Sequence, residues 1–207
     1  MKRSFLLGMM LLVAGAASAQ LQLGIKGGAS LKDVQNYIDG SASAIAQNPM
    51  GVGAHFGVFL ALAGEKWALQ PEVLYSNRGA AVSAGNLTGN LNLNYLSVPV
   101  MLRRKLIPLI WVEAGPEAGF LYSAQSIVSG QKIDASTIYS STIDLGVNVG
   151  LIVAPFKSLK AGARYYYGLK SVTGDVLLTD PLGNPTGQKA TSLSRIAMVY
   201  IEWAFLK

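Results

Sequence analysis

Alternation between large apolar and small or polar residues is the clearest pattern in the chain. Residues 143–154, IDLGVNVGLIVA, show it best, because every odd-numbered position holds a large aliphatic residue. The even-numbered positions include Asp144, Gly146, Asn148 and Gly150. Because successive side chains of a strand point to opposite faces, this period of two predicts a strand with one apolar and one polar face.

The same period recurs along the chain and predicts eight strands. Most of them reach or exceed the ~9–11 residues that a tilted strand needs to cross a bilayer, whereas strands of soluble proteins most often have ~5–6. The predicted strands are 22–31, 51–62, 67–78, 92–104, 110–122, 143–154, 160–168 and 194–205.

The links between these strands alternate in length. Those at 63–66, 105–109 and 155–159 are short, whereas those at 32–50, 79–91, 123–142 and 169–193 are long and rich in Gly, Ser, Asn and Thr. Such sorting is typical of an up-and-down barrel in an outer membrane, with long loops outside and short turns and both termini in the periplasm. The sequence therefore predicts one all-β domain, an eight-stranded antiparallel up-and-down transmembrane β-barrel.

The composition of the two faces predicts that the apolar face points outward. The polar face carries paired glycines such as Gly24 and Gly28, and a solvated strand face would gain nothing from them. Inside a narrow barrel, small residues make room for a few long ones. The long residues on this face are Lys26, His55, Gln70, Glu72, Arg78, Arg103, Glu113, Glu117, Asp144, Arg164 and Glu202.

Most of these long residues are charged, and charges enclosed in a narrow barrel must be paired. We predict a lumen charge network in which three cations pair with five carboxylates, with His55 and Gln70 as further polar lumen residues. A salt-bridged plug that closes the barrel is the favoured interpretation, and a narrow ion path or proton relay is the alternative. The network comprises Lys26, Glu72, Arg103, Glu113, Glu117, Asp144, Arg164 and Glu202.

Aromatic residues lie where two interfacial girdles would require them. Trp67 and Trp203 fall near the predicted periplasmic ends, and Tyr75, Tyr122 and Tyr167 fall toward the outer ends. Trp and Tyr favour the membrane–water interface, so we predict that these five side chains contact the lipid boundary.

Three prolines, Pro71, Pro99 and Pro116, fall within predicted strands. Each lacks the backbone N–H that a strand ladder needs, so we expect a bulge or a local break in pairing at each of them.

The N-terminus has the form of a secretory signal peptide. Lys2 and Arg3 precede the apolar run 5–14 and the small residues of 17–19. This order predicts cleavage after Ala19, which leaves 20–207 as the barrel domain. Cleavage lowers the formal charge from +6 to +4, from 15 Lys and Arg minus 11 Asp and Glu. This mild, dispersed charge does not predict a nucleic-acid partner.

Little in the sequence predicts catalysis. His55 is the single histidine, and no serine stands out beside it as a nucleophile, although Glu72 could orient it. With one histidine and no cysteine, the chain is predicted to have no transition-metal site. No dinucleotide-binding or phosphate-binding loop is found, so we predict no cofactor. An outer-membrane hydrolase or acyltransferase that uses His55 is the remaining catalytic alternative.

Several segments together resemble the PorT-like family of outer-membrane β-barrels. The most specific are LQPE at 69–72, YLSVP at 95–99 and AGP at 114–116, with DLGVNVG at 144–150 and AGARYYYGL at 161–169. The resemblance covers nearly all of the mature chain and implies a small eight-stranded barrel in the outer membrane of a diderm bacterium. It implies no reaction.

We therefore expect a non-enzymatic integral outer-membrane protein with a structural, surface-interaction or envelope-assembly role. Its expected partners are outer-membrane lipids and, through the long loops, lipopolysaccharide or envelope proteins. A soluble periplasmic lipocalin-like binder, with the same strands but an apolar interior, is the rival interpretation.

Overall fold

A computed structural model describes residues 20–38, 41–42, 51–84, 87–128, 131–134, 143–171, 176–179 and 185–206. The predicted signal peptide, residues 1–19, lies outside these ranges. Among the described residues, no helix is long and apolar enough to span a membrane.

Eight long strands form the barrel wall, and three short strands extend it at one end. The long strands have between 10 and 22 residues. They are β1 (Gln20–Ile38), β3 (Gly51–Ala63), β4 (Trp67–Ala84), β5 (Leu87–Ile107), β6 (Ile110–Val128), β8 (Ile143–Val153), β9 (Leu159–Gly168) and β11 (Pro185–Leu206). The short strands are β2 (Ser41–Ala42), β7 (Gln131–Asp134) and β10 (Val176–Thr179).

Every long strand pairs antiparallel with its neighbours along the chain, and the first strand closes on the last. The path β1–β3–β4–β5–β6–β8–β9–β11 is completed by pairing between β1 and β11, which runs from Leu23 opposite Leu206 to Ile38 opposite Ala190. The predicted fold class, a closed eight-stranded antiparallel barrel, is confirmed.

The strands are longer than predicted at the end where long loops were expected. Strand β4 continues to Ala84 and β5 begins at Leu87, so most of the predicted loop 79–91 is a paired hairpin. Parts of the other three predicted loops are also strand, including the ends of β1 and β6 and the start of β11. Alternation marks only the stretch where one face meets an apolar medium, whereas backbone groups go on pairing wherever a neighbour offers partners.

The three prolines that fall within predicted strands coincide with gaps in strand pairing. Pairing of β4 with β5 stops at Pro71 and resumes at Leu74, and pairing of β5 with β6 stops at Pro99 and resumes at Leu102. Pro116 faces the second gap from β6. The register is the same on both sides of each gap, so these prolines interrupt the ladder without shifting it.

The barrel has a polar interior and an apolar exterior. Large hydrophobic side chains on the outward face are exposed along the strands, for example Val149, Leu151 and Val153 on β8. The inward face of the same strand buries Asp144 and Asn148. The rival prediction of a lipocalin-like binder is wrong for the described barrel, because that fold needs an apolar interior.

Candidate functional site

The barrel interior contains two groups of buried charges, one above the other. The central cluster consists of three cations and three carboxylates, and none of these residues is more than 3% exposed. The loop-side cluster lies nearer the extended hairpins and consists of Arg78, Glu117 and Asp144. The central cluster comprises Lys26, Glu72, Arg103, Glu113, Arg164 and Glu202.

Glu72 on β4 joins cations from two other strands, one of them across the barrel. Its carboxylate accepts hydrogen bonds from Lys26 Nζ on β1 at 3.2 Å and from Arg164 Nη2 on β9 at 2.9 Å. Gln70, the polar lumen residue two positions earlier, donates to Glu72 at 3.1 Å and to Glu202 at 3.2 Å. The cluster therefore crosses the lumen instead of running along one wall.

Arg103 on β5 completes the cluster on the side of the short turns. Its Nη1 donates to Glu202 Oε1 at 2.6 Å and its Nη2 to Glu202 Oε2 at 2.9 Å, a bidentate pair. Its Nε donates to Glu113 at 3.1 Å. All three carboxylates of the cluster thus meet at least one guanidinium.

Gly150 on β8 allows two strands that are not neighbours to share an ion pair. It lies opposite Glu113 of β6 on one side and opposite Arg164 of β9 on the other. A Cβ at Gly150 would come within 2.9 Å of Glu113 Oε1, whereas without it Arg164 Nε reaches that same oxygen at 2.7 Å. Small residues on the inward face therefore make space for the long ones.

Tyr200 on β11 contacts the central cluster but was not predicted. Its hydroxyl donates to Glu113 at 2.7 Å, and Lys26 Nζ lies 3.5 Å from its ring centroid. A Cβ at Gly162 on the neighbouring strand would overlap this ring, so the glycine provides the space for it. Position 200 shares the inward face with Glu202, and that parity was the signal available in the sequence.

The loop-side cluster corrects the predicted pairing of Glu117 and Asp144. The prediction gave both carboxylates to Lys26, Arg103 and Arg164, whereas the structure pairs both with Arg78. The Arg78 Nη1–Asp144 Oδ2 distance is 2.7 Å. Arg78 lies six residues beyond Glu72 on β4. Strand alternation gives the face of each side chain but not its height relative to partners on other strands.

His55 lies inside the barrel, as does Gln70, but outside both clusters. It is 2% exposed, and neither ring nitrogen has a hydrogen-bond partner among the described residues. Its ring contacts Tyr200 edge to face, with 6.4 Å between centroids. A histidine of a Ser–His–acid triad needs a nucleophile on one nitrogen and an orienting group on the other, and His55 bonds to neither among the described residues.

The five predicted interfacial aromatics all lie on the outward face. Trp67 and Trp203 are about half exposed near the short turns, at 50% and 51%. At the other end, the Tyr75 ring packs 6.2 Å from the Tyr122 ring, and Tyr167 is stacked by Arg195 at 3.5 Å from its centroid.

The central cluster fills its level of the lumen with paired charges. The central cluster holds three positive and three negative side chains, each bonded to another member. In the part of the chain that the structure describes, no group of three or more His, Cys, Asp or Glu side chains is placed to hold a metal ion.

Comparison with known proteins supports the barrel fold and an outer-membrane family. A family model described as outer membrane protein beta-barrel domain matches residues 15–174. Neisserial surface protein A is 14% identical with a TM-score of 0.51, and the match covers 88% of this chain and 97% of that one. Ail, the attachment invasion locus protein of Yersinia pestis, is 16% identical with a TM-score of 0.47, over 90% of this chain and 99% of that one. No curated protein matches the chain.

Proposed function

We propose a function on the premise that the chain belongs to the outer membrane protein beta-barrel domain family. It is a non-enzymatic barrel that closes its own lumen and holds extended hairpins at the cell surface, in a surface-interaction role. Outer-membrane lipids surround it, and lipopolysaccharide or envelope proteins are the partners that its hairpins would meet. Within the family we assign it to the PorT-like barrels, on the segments 69–72 and 114–116.

The observation that carries this proposal is the central cluster. Its bonds connect six strands across the interior, for example from Lys26 on β1 to Glu72 on β4, and onward to Arg164 on β9. An eight-stranded barrel has an interior just wide enough for side chains to fill. A neutral, fully bonded layer of long side chains across such a lumen favours an anchor over a channel.

The length of the strands supports a surface role for the barrel end that lies away from the short turns. Strand β5 has 21 residues, which at ~3.4 Å per residue is roughly 70 Å. Tilted by about 40°, it rises roughly twice the height of the ~25 Å apolar band of an outer-membrane barrel. Short turns keep one end of each strand pair close to the membrane. The strand length that exceeds the apolar band therefore projects from the end with the long hairpins.

Epitope insertion tests which end faces outward. One tag is placed at 85–86, between β4 and β5, and a matched tag within the short turn Gly64–Lys66 between β3 and β4. We expect antibody to label intact cells that carry the first tag and only permeabilised cells that carry the second. Labelling of the short-turn tag on intact cells would overturn the proposed topology.

Conductance tests whether the lumen is closed. The purified barrel is reconstituted in a planar bilayer beside a large porin as positive control. We expect the porin to give stepwise currents and this protein to give none that persists. A stable open-channel current from the unaltered chain would refute closure by the central cluster.

A further inference from the structure

Between the central cluster and the short turns, the barrel contains a cavity of about 580 Å³, here named the turn-side chamber. Its volume falls within the ~300–1,000 Å³ of typical small-molecule sites. Arg103 forms part of its inner wall, and Pro155 and Phe156 lie at its mouth. The closed-anchor function makes no use of this space.

One wall of the chamber is apolar because the inward face changes character here. In place of the long charged residues of the central cluster, this level carries Ala61, Ala68 and Ile152, all buried, together with the half-buried Trp111. Alanines leave room where long side chains would fill the lumen. The wall therefore suits an aliphatic body.

The charged groups around the chamber are mostly cations. Arg103, Lys105, Lys157 and Lys160 line it, against the single carboxylate of Glu65. Arg103 is neutralised by its bidentate pair with Glu202. Lys160 shares Glu202 with Arg103 through a longer ion pair, so the cations at the chamber outnumber the carboxylates and attract an anion.

Lys160 is the lysine best placed to meet an anion inside the barrel. Its Nζ lies 3.7 Å from Glu202 Oε1, with 17% of its side chain exposed. This distance exceeds that of a hydrogen bond, and Glu202 already accepts two bonds from Arg103. Because an ammonium has three N–H donors, Lys160 can bind a second carboxylate in addition to its ion pair with Glu202.

Gln22 adds a polar group that the protein itself leaves unpaired. It lines the chamber, is 7% exposed, and its amide oxygen has no hydrogen-bond partner among the described residues. The terminal torsion of glutamine is broad, so the amide can turn toward the chamber at low cost. An acceptor in this position suits a ligand that carries a hydroxyl.

We propose that the turn-side chamber binds an aliphatic hydroxy acid. Its carboxylate pairs with Lys160 and the lysines at the mouth, its hydroxyl donates to Gln22, and its chain lies against the alanines and Trp111. The inference stands apart from the surface role, because binding to the purified barrel does not depend on which end faces outward.

Fluorescence of Trp111 tests the proposal directly. In a Trp67→Phe/Trp203→Phe background this indole is the only tryptophan, and it is titrated in lipid nanodiscs with 3-hydroxyoctanoate, octanoate or 1-octanol. We expect a saturable change with the acids and only a linear, partition-type change with the alcohol. 3-Hydroxyoctanoate should bind several-fold more tightly than octanoate.

Variants separate the contributions of the two polar groups. Lys160→Met should weaken both acids at least tenfold, and Gln22→Leu should abolish the preference for the hydroxy acid while octanoate still binds. Lys170→Met, an exposed lysine at the other end of β9, is the matched charge control and should change neither. A linear response shared by all ligands and variants would overturn the site, and equal affinity for the two acids would overturn the role of Gln22.

Discussion

Removing one charge from the central cluster should destabilise the barrel, and removing a second of opposite sign should restore part of that loss. Glu72→Gln keeps the shape of the side chain and deletes its negative charge. It leaves three buried cations against two carboxylates, with Lys26 deprived of the carboxylate it bonds to. Breaking a buried ion pair on one side costs about 3–5 kcal/mol, because the remaining charge is uncompensated.

The second substitution, Lys26→Met, returns the cluster to two cations and two carboxylates. Arg164 keeps its bonds to Glu113 at 2.7 and 3.0 Å, so no charge is left without an opposite partner. Lys26→Met/Glu72→Gln should therefore be more stable than Glu72→Gln alone, although each single change destabilises the unaltered protein. This non-additivity is the signature of direct coupling.

Urea unfolding in phospholipid vesicles, followed by tryptophan fluorescence, measures these free energies. A loss of 3–5 kcal/mol corresponds to roughly a hundred- to several-thousand-fold change in the unfolding equilibrium constant. Glu65→Gln, an exposed carboxylate in a short turn, is the control and should stay within about 0.5 kcal/mol of the unaltered chain. Strictly additive effects of the two substitutions, or a Glu72→Gln loss below about 1 kcal/mol, would refute the coupling.

Three further substitutions or probes test the faces of the barrel. Gly28→Ala should lower the urea midpoint of unfolding, because the added Cβ would lie 2.7 Å from Tyr200 Cα. Gly27→Ala, whose Cβ would lie 3.8 Å from its nearest neighbour, should leave the midpoint unchanged, and equal effects of the two substitutions would contradict this prediction. Brominated lipids should quench the outward Trp67 strongly and the inward Trp111 weakly, and the reverse order would invert the faces. His55→Leu should change the unfolding free energy by less than about 1 kcal/mol, since its nitrogens bond to no described residue; a loss of several kcal/mol would reveal a hydrogen bond.

The orientation of side chains could be predicted from the sequence because it depends only on parity. All eight residues predicted for the charge network are buried in the barrel. The same parity placed Trp67 and Trp203 on the exposed face. The outward-facing residues needed no knowledge of which strands are neighbours, since alternation holds within each strand separately.

The ends of the strands could not be predicted in the same way. Residues 79–84 and 87–91 have no clear alternation, yet they pair with one another from Gly79 opposite Asn92 to Ala84 opposite Leu87. Hydrophobic alternation requires an apolar medium on one face, whereas a strand that extends beyond the membrane meets water on both faces. Hydrogen bonding of the backbone continues regardless, so the hairpin is longer than its pattern.

The partners within the lumen depend on a quantity that no single strand contains. Closing a sheet into a barrel staggers each strand against the next, and this stagger sets which inward residues lie at the same height. Glu72 and Arg164 lie on strands that do not pair, 92 positions apart in the chain, yet their side chains meet at 2.9 Å. Arg78 lies only six positions beyond Glu72 on the same strand, but it pairs with Glu117 and Asp144 in the loop-side cluster. Charge balance alone would allow Glu117 or Asp144 to pair with Arg164 as well as with Arg78, so the division into two clusters is a consequence of the stagger. A substitution that shifted the β1–β11 register by two residues would therefore exchange the ion-pair partners, while every side chain would stay on its own face of the sheet.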